Sequence, residues 1–410
     1  MFDVKTIRKD FPMLNNKKVN NQELIYLDSA ATTFKPNVVI DKVVDYYHNL
    51  STNAHRGDYD LSFQVSKEFD NVRETIAKFI NCKAEEVVFT SGASMSLNLV
   101  AYGFGRKILK KGDIILTTEA EHASSILPWF KTAEECGAIV QYIPLDAEGR
   151  ITIDNFKSVL NDKVKIVSFA NVTNVLGFIA PVKELIELAH NNKAYVIVDG
   201  AQGVPHLPTD VQRDDIDFLA FSAHKLCGPT GVGVLYGKYE LLEMTDPFMM
   251  GGGANARFDT CGNILLKQPP FKFEAGTPAI EGVLGMGKAI EYINNIGIEN
   301  IHKYESELRA YLVSKLEVLD NIVIYNKHAD AGIITFNIDG IFAQDAAGYL
   351  NQHGICLRAG NHCAKILMNI LGTNETLRAS FYFYNTKAEI DKFVEVLSEI
   401  SLEKCIEGWL

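Results

Sequence analysis

The chain has 410 residues, of which 47% are hydrophobic, and its formal net charge is −11. This length and apolar content suffice for one large domain and a smaller one, and they exclude a disordered or fibrous chain. The excess of acidic over basic residues argues against a nucleic-acid partner, because the neutralisation of phosphates requires clustered lysine and arginine.

The beginning of the chain is charged and has no apolar signal-peptide core, and no run of residues approaches the length of a membrane span. The 7 cysteines include no CxxC pair. This pattern favours free thiols in a reducing compartment over a disulfide framework or a zinc site. The sequence therefore predicts a cytoplasmic protein with no membrane partner and no bound metal.

Residues 1–35 are predicted to form an N-terminal arm that contains a short strand at 25–27 and associates with a smaller C-terminal domain. After a predicted helix over 38–50, a polar loop contains His55 and Arg56. These two residues are candidate anion ligands, although a capped loop with a solvated arginine explains the local sequence equally well.

From Glu86 onward predicted strands alternate with predicted helices, which indicates an α/β fold whose mostly parallel sheet is covered by helices. We predict a large domain over 36–295 and a smaller α+β domain over 296–410. The segment 251–277 is predicted to be rich in loops. The segment 231–238 is predicted to be a closing strand, since it lacks the GxxxxGK[ST] spacing of a phosphate loop.

Polar residues follow successive predicted strands at the points where the strands end. Taken singly, each has an ordinary structural explanation, such as a helix cap. In a doubly wound sheet, however, the carboxyl ends of parallel strands form one edge, where ligands bind. The first of these turns begins a helix, so the Ala93 N–H and the Ser94 hydroxyl are candidate phosphate donors. The residues predicted at this edge are Ser94, His122, Asn174, Asp199, Gln202, Ser222, His224 and Lys225.

Lys225 stands between an apolar strand and a turn rich in glycine and proline. Desolvation would lower its pKa and favour imine formation, although a lysine considered alone more often covers apolar surface with its stem. Asp199 ends a neighbouring apolar strand. A lysine that forms an imine and an acid that holds a pyridinium nitrogen are what a pyridoxal phosphate enzyme requires. His122 could stack on the ring of such a cofactor.

A second candidate site lies in the segment 358–364, between predicted strands of the C-terminal domain. Cys363 follows a glycine, an amide and a histidine in a stretch without strong periodicity, which indicates an exposed and mobile thiol. Arg358 and His362 are expected to favour its thiolate, the form that attacks. A buried, inert cysteine is the alternative.

Six motifs lie in a consistent order along nearly the whole chain. They are His55-Arg56-Gly57, Asn174-Val175-Leu176-Gly177, Asp199-Gly200-Ala201-Gln202, Ser222-Ala223-His224-Lys225-Leu226-Cys227-Gly228-Pro229-Thr230-Gly231, Ala275-Gly276-Thr277-Pro278 and Arg358-Ala359-Gly360-Asn361-His362-Cys363-Ala364. Together they resemble the SufS-type (group II) cysteine desulfurases of the fold-type I, class V aminotransferase superfamily. The short segment around Cys363, in place of the longer loop of the IscS/NifS group, favours the SufS type.

The resemblance implies a homodimeric enzyme that binds pyridoxal 5'-phosphate and converts L-cysteine into L-alanine. The sulfur would remain on Cys363 as a persulfide and then pass to a SufU- or SufE-like acceptor protein for iron-sulfur cluster assembly. The resemblance also implies that Lys225 binds the cofactor covalently and that Asp199 pairs with its pyridine nitrogen. Gln202 would contact the ring hydroxyl, and His122 would stack on the ring.

The remaining roles implied by the resemblance concern the phosphate and the substrate. Ser94, Ser222 and His224 would hold the phosphate, and Thr277 would reach it from the other subunit. The substrate would be bound by Asn174, Arg358 and Arg378, with Arg378 clamping its carboxylate.

The chain departs from the family pattern in several motifs. The phosphate turn contains Ala93-Ser94-Met95 where relatives usually have Thr-Thr-Glu, and Ala123-Ser124-Ser125 replaces the usual His-Ala-Asn after His122. Asn361-His362 replaces the usual His-His. Histidine is absent from 342–344, where relatives that use a zinc-bearing scaffold tend to carry one.

Two other classes of function remain open at this point. A selenocysteine lyase, an aminotransferase or a kynureninase-like hydrolase would need Lys225 and Asp199 but not Cys363. A non-enzymatic scaffold for sulfur assembly, without a cofactor, is the third possibility.

Overall fold

A computed structural model describes residues 2–15 and 17–407, so the predicted domain limits at 1 and 410 lie outside the described residues. The strands are, in chain order, β1 (Lys18–Val19), β2 (Gln22–Glu23), β3 (Ile25–Tyr26), β4 (Val87–Thr90), β5 (Ile114–Thr117), β6 (Ile139–Tyr142), β7 (Val164–Ala170), β8 (Tyr195–Asp199), β9 (Phe218–Ser222), β10 (Gly233–Gly237), β11 (Asn255–Phe258), β12 (Ile264–Leu266), β13 (Ile322–Ile324), β14 (Ile333–Ile338), β15 (Ile355–Cys356), β16 (Arg358–Gly360) and β17 (Thr376–Ser380).

The helices connect these strands and cover the sheets. They are α1 (Val4–Arg8), α2 (Asn37–Asp45), α3 (Asp60–Ile80), α4 (Ala93–Leu99), α5 (Arg106–Ile108), α6 (Ala123–Cys136), α7 (Ile153–Val159), α8 (Val182–Asn191), α9 (Tyr239–Met244), α10 (Ile280–Ile296), α11 (Ile298–Leu316), α12 (Ala343–Gln352), α13 (Lys365–Leu371), α14 (Lys387–Ser398) and α15 (Leu402–Glu407). Two π-helical turns, Tyr46–Leu50 and Val100–Gly105, continue α2 and α4.

The central sheet has 7 strands in the order β4-β10-β9-β8-β7-β5-β6. Strand β10 pairs antiparallel with β4 and β9, whereas β5 to β9 pair in parallel. The predicted mostly parallel α/β sheet is therefore confirmed. The segment 231–238 does contain a strand, but this strand lies inside the sheet, because β10 runs back between β4 and β9.

Both faces of this sheet are buried, which explains its nearly continuous apolar strands. Side chains alternate between the faces. On β8, Val196 and Val198 belong to one core and Ile197 to the other. A polar residue at the end of a strand is thus the first that is free to face the edge of the sheet.

A second sheet has 4 strands in the order β13-β14-β17-β16 and its own apolar core. Ile25 and Leu27 of the N-terminal arm contribute to this core. Strand β3 of the arm pairs in parallel with β15, and Asp28 bridges to Ser380. The separate cores support the predicted division into domains, which stays a prediction.

Some predicted boundaries differ from the structure. The hairpin β11–β12 lies in the segment expected to be loop-rich. Its side chains are mostly exposed, so the sequence has no apolar alternation that would predict it. Near the end of the chain, α14 ends at Ser398, and the separate helix α15 follows it. Around Cys363, strand β16 and helix α13 were not predicted, because each is very short.

Candidate active site

A pocket opens at the carboxyl edge of the central sheet, and most of the predicted site residues meet there. Its lining also includes Ala30, Ala31 and Ser124, which were not among the predicted site residues. The predicted residues that line it are Ala93, Ser94, His122, Asn174, Asp199, Gln202, Ser222, His224, Lys225, Arg358 and Arg378.

Lys225 and Asp199 converge on this pocket from neighbouring strands. Lys225 ends a short 3₁₀ turn after β9, and its amine has no hydrogen-bond partner in the described part of the chain. Burial lowers the pKa of Lys225 to about 8, although the Asp199 carboxylate opposes this shift. Lys225 is therefore the kind of desolvated amine that reacts with a carbonyl compound near neutral pH.

Asp199 is the last residue of β8, and its Oδ1 accepts the Ala201 N–H at 3.0 Å. Burial raises the pKa of Asp199, while this hydrogen bond and the charge of Lys225 oppose the rise. A buried carboxylate beside a lysine can hold a cationic nitrogen within the same pocket.

The turn after β4 matches the predicted phosphate turn in position but not in every donor. Gly92 has a φ of 149°, in a region that favours glycine. The Ala93 N–H donates to Ser222 Oγ at 2.8 Å, so this donor is already engaged within the protein. The Ser94 and Ser124 hydroxyls lie 2.7 Å apart. The Ser94, Ser124 and Ser222 hydroxyls therefore lie beside this turn.

Two histidines of the pocket are neutral at physiological pH. His122 precedes α6, and its Nδ1 accepts the Ser124 N–H at 3.1 Å, which leaves the ring proton on Nε2. Burial lowers the pKa of His122 to about 4, and it lowers the pKa of His224 to about 4 as well. A neutral imidazole can lie against an aromatic ring or donate one hydrogen bond.

Arg378 lies on β17 at the opposite wall of the pocket, and only 1% of it is exposed. Its Nη1 donates to the Asn174 carbonyl at 2.9 Å, and its Nη2 lies 3.0 Å from Asp28 Oδ1. Its Nε has no partner among the described residues. The Asn174 side chain in turn donates to the His362 carbonyl at 2.8 Å.

Cys363 is exposed, as predicted, and lies beside the pocket. Arg358 Nη2 is 3.6 Å from its sulfur. The Cys363 N–H donates to Asn361 Oδ1 at 3.2 Å, and its carbonyl accepts the Ala123 N–H at 2.7 Å. These bonds attach the cysteine to the residue after His122, and one of them uses Asn361, which stands where relatives usually have histidine.

The expectation that His362 favours the Cys363 thiolate is wrong. His362 is buried, and its Nε2 donates towards the Thr376 carbonyl and hydroxyl rather than towards the sulfur. Burial lowers the pKa of His362 to about 3, so the ring carries no positive charge at neutral pH. Arg358 is the cation that contacts the sulfur.

Thr277, His55 and Arg56 lie outside this pocket. Thr277 is exposed, and its Oγ1 accepts a hydrogen bond from Asn53 at 3.1 Å. Arg56 donates to the Gly252 and Gly276 carbonyls, which connects two loops. Within one chain, Arg56 therefore acts as a bridge between backbone segments.

The contribution of the N-terminal arm to this site was not predicted. Ala30 accepts a hydrogen bond from Gln202 Nε2 at 2.8 Å, and Asp28 pairs with Arg378. A polar residue at the end of a strand was the signal that identified Asp199, and Asp28 has the same signal after β3. Its place beside the pocket was not predicted, because β3 pairs with β15 and not with a strand of the central sheet.

The residues of the pocket fit pyridoxal phosphate. A desolvated amine and a buried carboxylate are present, and hydroxyl and N–H donors lie around them. Several buried polar atoms that face this region have no hydrogen-bond partner in the described structure, so the pocket suits a polar ligand. These atoms are Asn174 Oδ1, Gln202 Oε1, His362 Nδ1 and Arg378 Nε.

No group of three or more His, Cys, Asp or Glu side chains in residues 2–15 and 17–407 is arranged to hold a metal ion. Within the same ranges, no helix combines the length and the apolar character needed to cross a membrane.

Comparison with known proteins identifies the family. Residues 25–393 match the aminotransferase class V family. The chain is 43% identical to a probable cysteine desulfurase of Synechocystis sp. over 96% of this chain and 94% of the relative. It is 41% identical to a cysteine desulfurase of Haloferax volcanii over 96% of each chain. The crystal structure of the cysteine desulfurase CsdA from Escherichia coli superposes with a TM-score of 0.91 at 34% identity, covering 99% of each chain.

These similarities confirm the predicted superfamily, fold, cofactor and enzyme class, because class V aminotransferases and cysteine desulfurases depend on pyridoxal phosphate. They do not separate the SufS type from other cysteine desulfurases. The buried lysine and aspartate at the sheet edge, the exposed cysteine beside them and the full-length similarity agree. The chain belongs to the aminotransferase class V family and, within it, to the cysteine desulfurases.

Proposed function

We propose that this protein is a SufS-type cysteine desulfurase that takes sulfur from L-cysteine, releases L-alanine and holds the sulfur as a persulfide on Cys363. The observation that carries this proposal is the position of the Cys363 thiol. It is exposed, it lies 3.6 Å from Arg358 Nη2, and its backbone is bonded to the residue that follows His122.

Pyridoxal phosphate, when bound at Lys225, supplies an electron sink for charge that develops on the substrate Cα. The Lys225 amine then moves the Cα proton, first as a base and later as an acid. The low pKa that burial gives this amine suits both roles near neutral pH. Asp199 would hold the ring nitrogen, and the neutral His122 ring would lie against the cofactor ring.

The substrate is held by its carboxylate and attacked at its sulfur. Arg378, with Asn174 beside it, binds the carboxylate, and Arg358 attracts the sulfur end. The Cys363 thiolate attacks the substrate sulfur. A sulfur–sulfur bond forms as the Cβ–sulfur bond breaks, and the electron pair left on the carbon is protonated to give the methyl group of alanine.

The active form is a homodimer in this proposal. Thr277 lies outside the pocket of its own chain, close to Asn53, so it can reach a phosphate only in a second subunit. The hairpin β11–β12 exposes apolar side chains, including Phe258 at 71%, Leu265 at 63% and Ile264 at 58%. Exposed apolar clusters of this kind mark protein interfaces.

The sulfur acceptor is a SufU- or SufE-like protein that serves iron-sulfur cluster assembly, and the enzyme acts in the cytoplasm. The exposure of Cys363 supports transfer to an acceptor protein, because a second protein must reach the persulfide. The free state of all 7 cysteines supports a cytoplasmic location, since free thiols suit a reducing compartment.

Mass spectrometry of Cys363 tests the proposal. After addition of L-cysteine to the enzyme with its cofactor, Cys363 should gain the mass of one sulfur atom. Cys363→Ser should lose the release of alanine and sulfide from L-cysteine, because no thiolate remains to attack the substrate sulfur. Cys261→Ser, which removes another exposed thiol, should react normally.

Undiminished turnover of L-cysteine by Cys363→Ser would remove the persulfide role. It would favour another class V activity that needs Lys225 and Asp199 alone.

A further inference from the structure

The N-terminal arm places one acidic side chain against Arg378, the pocket residue that is proposed to bind the substrate carboxylate. Asp28 Oδ1 lies 3.0 Å from Arg378 Nη2. Arg378 is almost fully buried, whereas 23% of the Asp28 side chain is exposed. The ion pair therefore joins a buried arginine of the pocket to a partly exposed carboxylate of the arm.

The backbone on both sides of Asp28 is attached to β17. The Ser380 N–H donates to the Leu27 carbonyl at 2.8 Å, and the Ser29 N–H donates to the Ser380 carbonyl at 3.3 Å. Arg378 and Ser380 are two residues apart on this strand, so their side chains share one face. Asp28 is thus held in register with Arg378 by the main chain as well as by its own carboxylate.

The contacts of Arg378 show which of its N–H groups remain free to bind a ligand. Nη2 is directed to Asp28 and Nη1 to the Asn174 carbonyl. Nε is buried and has no partner among the described residues. Because the guanidinium is planar, two fixed contacts determine the direction in which its remaining N–H groups point.

The charges around Asp28 also favour a role for this residue in orienting Arg378. Burial raises the pKa of Asp28, but the positive charges of Arg378, Arg358 and Lys225 oppose that rise. The carboxylate therefore lies among the same cations that the substrate is proposed to meet. This acidic residue comes from the arm, at the opposite end of the chain from the arginines.

We infer that Asp28 is a positioning residue for substrate binding: it orients the Arg378 guanidinium so that its free N–H groups face the carboxylate of the amino-acid substrate. This inference rests on the proposed role of Arg378. Asp28 does not contact the substrate; it acts through Arg378.

The test uses the enzyme with its cofactor and compares Asp28→Ala with Asp28→Asn. Asparagine keeps an oxygen that can accept from Arg378, and alanine does not. Asp28→Ala should raise the KM for L-cysteine and the Kd for L-alanine, measured by calorimetry, by about tenfold, with a much smaller change in kcat. Asp28→Asn should restore both constants to within about threefold of wild type, since a neutral hydrogen bond keeps part of the orientation.

A matched control is Asp330→Asn. Asp330 forms another aspartate–arginine pair, 2.9 Å from Arg150, but its arginine does not line the pocket, whereas Arg378 does. This variant should keep the KM and the Kd of wild type. Thermal unfolding followed by circular dichroism shows whether each variant folds. If the alanine variant does not fold, Asp28→Asn is compared with wild type instead.

Two results would overturn the inference while leaving the proposed function intact. One is a wild-type KM and Kd in Asp28→Ala when Arg378→Lys raises both. The other is an Asp28→Asn variant as impaired as Asp28→Ala, which would show that charge alone matters. If Arg378→Lys leaves the Kd for L-alanine unchanged, the proposed carboxylate site fails, and the inference fails with it.

Discussion

The two edges of the central sheet each carry a cluster of charged residues, and the clusters differ in how completely they are paired. At the edge opposite the pocket, Asp217 accepts hydrogen bonds from the Val196 N–H and Lys238 Nζ, each at 2.8 Å. His190 lies between Asp217 and Asp215, 2.9 Å from each. Every charged group in this cluster has a partner.

At the pocket edge the pairing is incomplete. The Lys225 amine has no hydrogen-bond partner in the described chain, and several buried polar atoms of the pocket are also unpaired. Unpaired buried groups reduce stability, so a protein that keeps them in one pocket uses them for a ligand. The comparison shows that pairing, more than the number of charges, separates a functional cluster from a structural one.

The largest effect should come from Lys225→Met at the pocket edge. Without the amine, alanine formation from L-cysteine should fall by about 10²–10⁴-fold. The melting temperature should stay the same or rise, since a desolvated amine without a partner has been removed. Lys238→Met is the control at the other edge: it should keep activity and lower the melting temperature. Full activity in Lys225→Met would contradict the assignment of function to the unpaired cluster at the pocket edge.

Asp217→Asn should have the converse effect: it should reduce stability and leave activity unchanged. This buried carboxylate accepts three hydrogen bonds, and its loss should lower the free energy of unfolding by about 1–3 kcal/mol, measured by urea denaturation. Activity on L-cysteine should be unchanged. Asp162→Asn, at an exposed position, should leave stability as it is. A loss of activity without a loss of stability would show that the cluster serves the reaction.

The smallest expected effect depends on pH. The hydrogen bond with Asp217 is the main factor that raises the pKa of His190. The stabilisation by the protonated ring is therefore complete below the unfolded pKa of about 6.5 and is lost as the pH rises through the raised pKa of the folded protein. His190→Gln should cost about 1 kcal/mol or less at pH 6 and still less at pH 9, by urea denaturation. An equal cost at both pH values would contradict a protonated ring.

Much of the site could be predicted because strand ends are visible in a sequence. Asp199 and Lys225 follow apolar runs, and parallel strands place their carboxyl ends at one edge, so the convergence of these residues follows from local pattern. The exposure of Cys363 followed from the absence of periodicity around it. These inferences need only the alternation of side chains and the direction of the strands.

Pairing was decided by the tertiary structure, because it depends on residues that are distant in the chain. Asp28 and Arg378 lie 350 positions apart, and only the attachment of the arm to β17 brings them to 3.0 Å. His362 was expected beside the Cys363 sulfur, yet the fold turns its ring to Thr376. The amino-acid sequence by itself determined which chemical groups reach the sheet edge; the packing of the arm and of the second sheet against that edge decided which of them are neutral, which are paired and which remain free to bind.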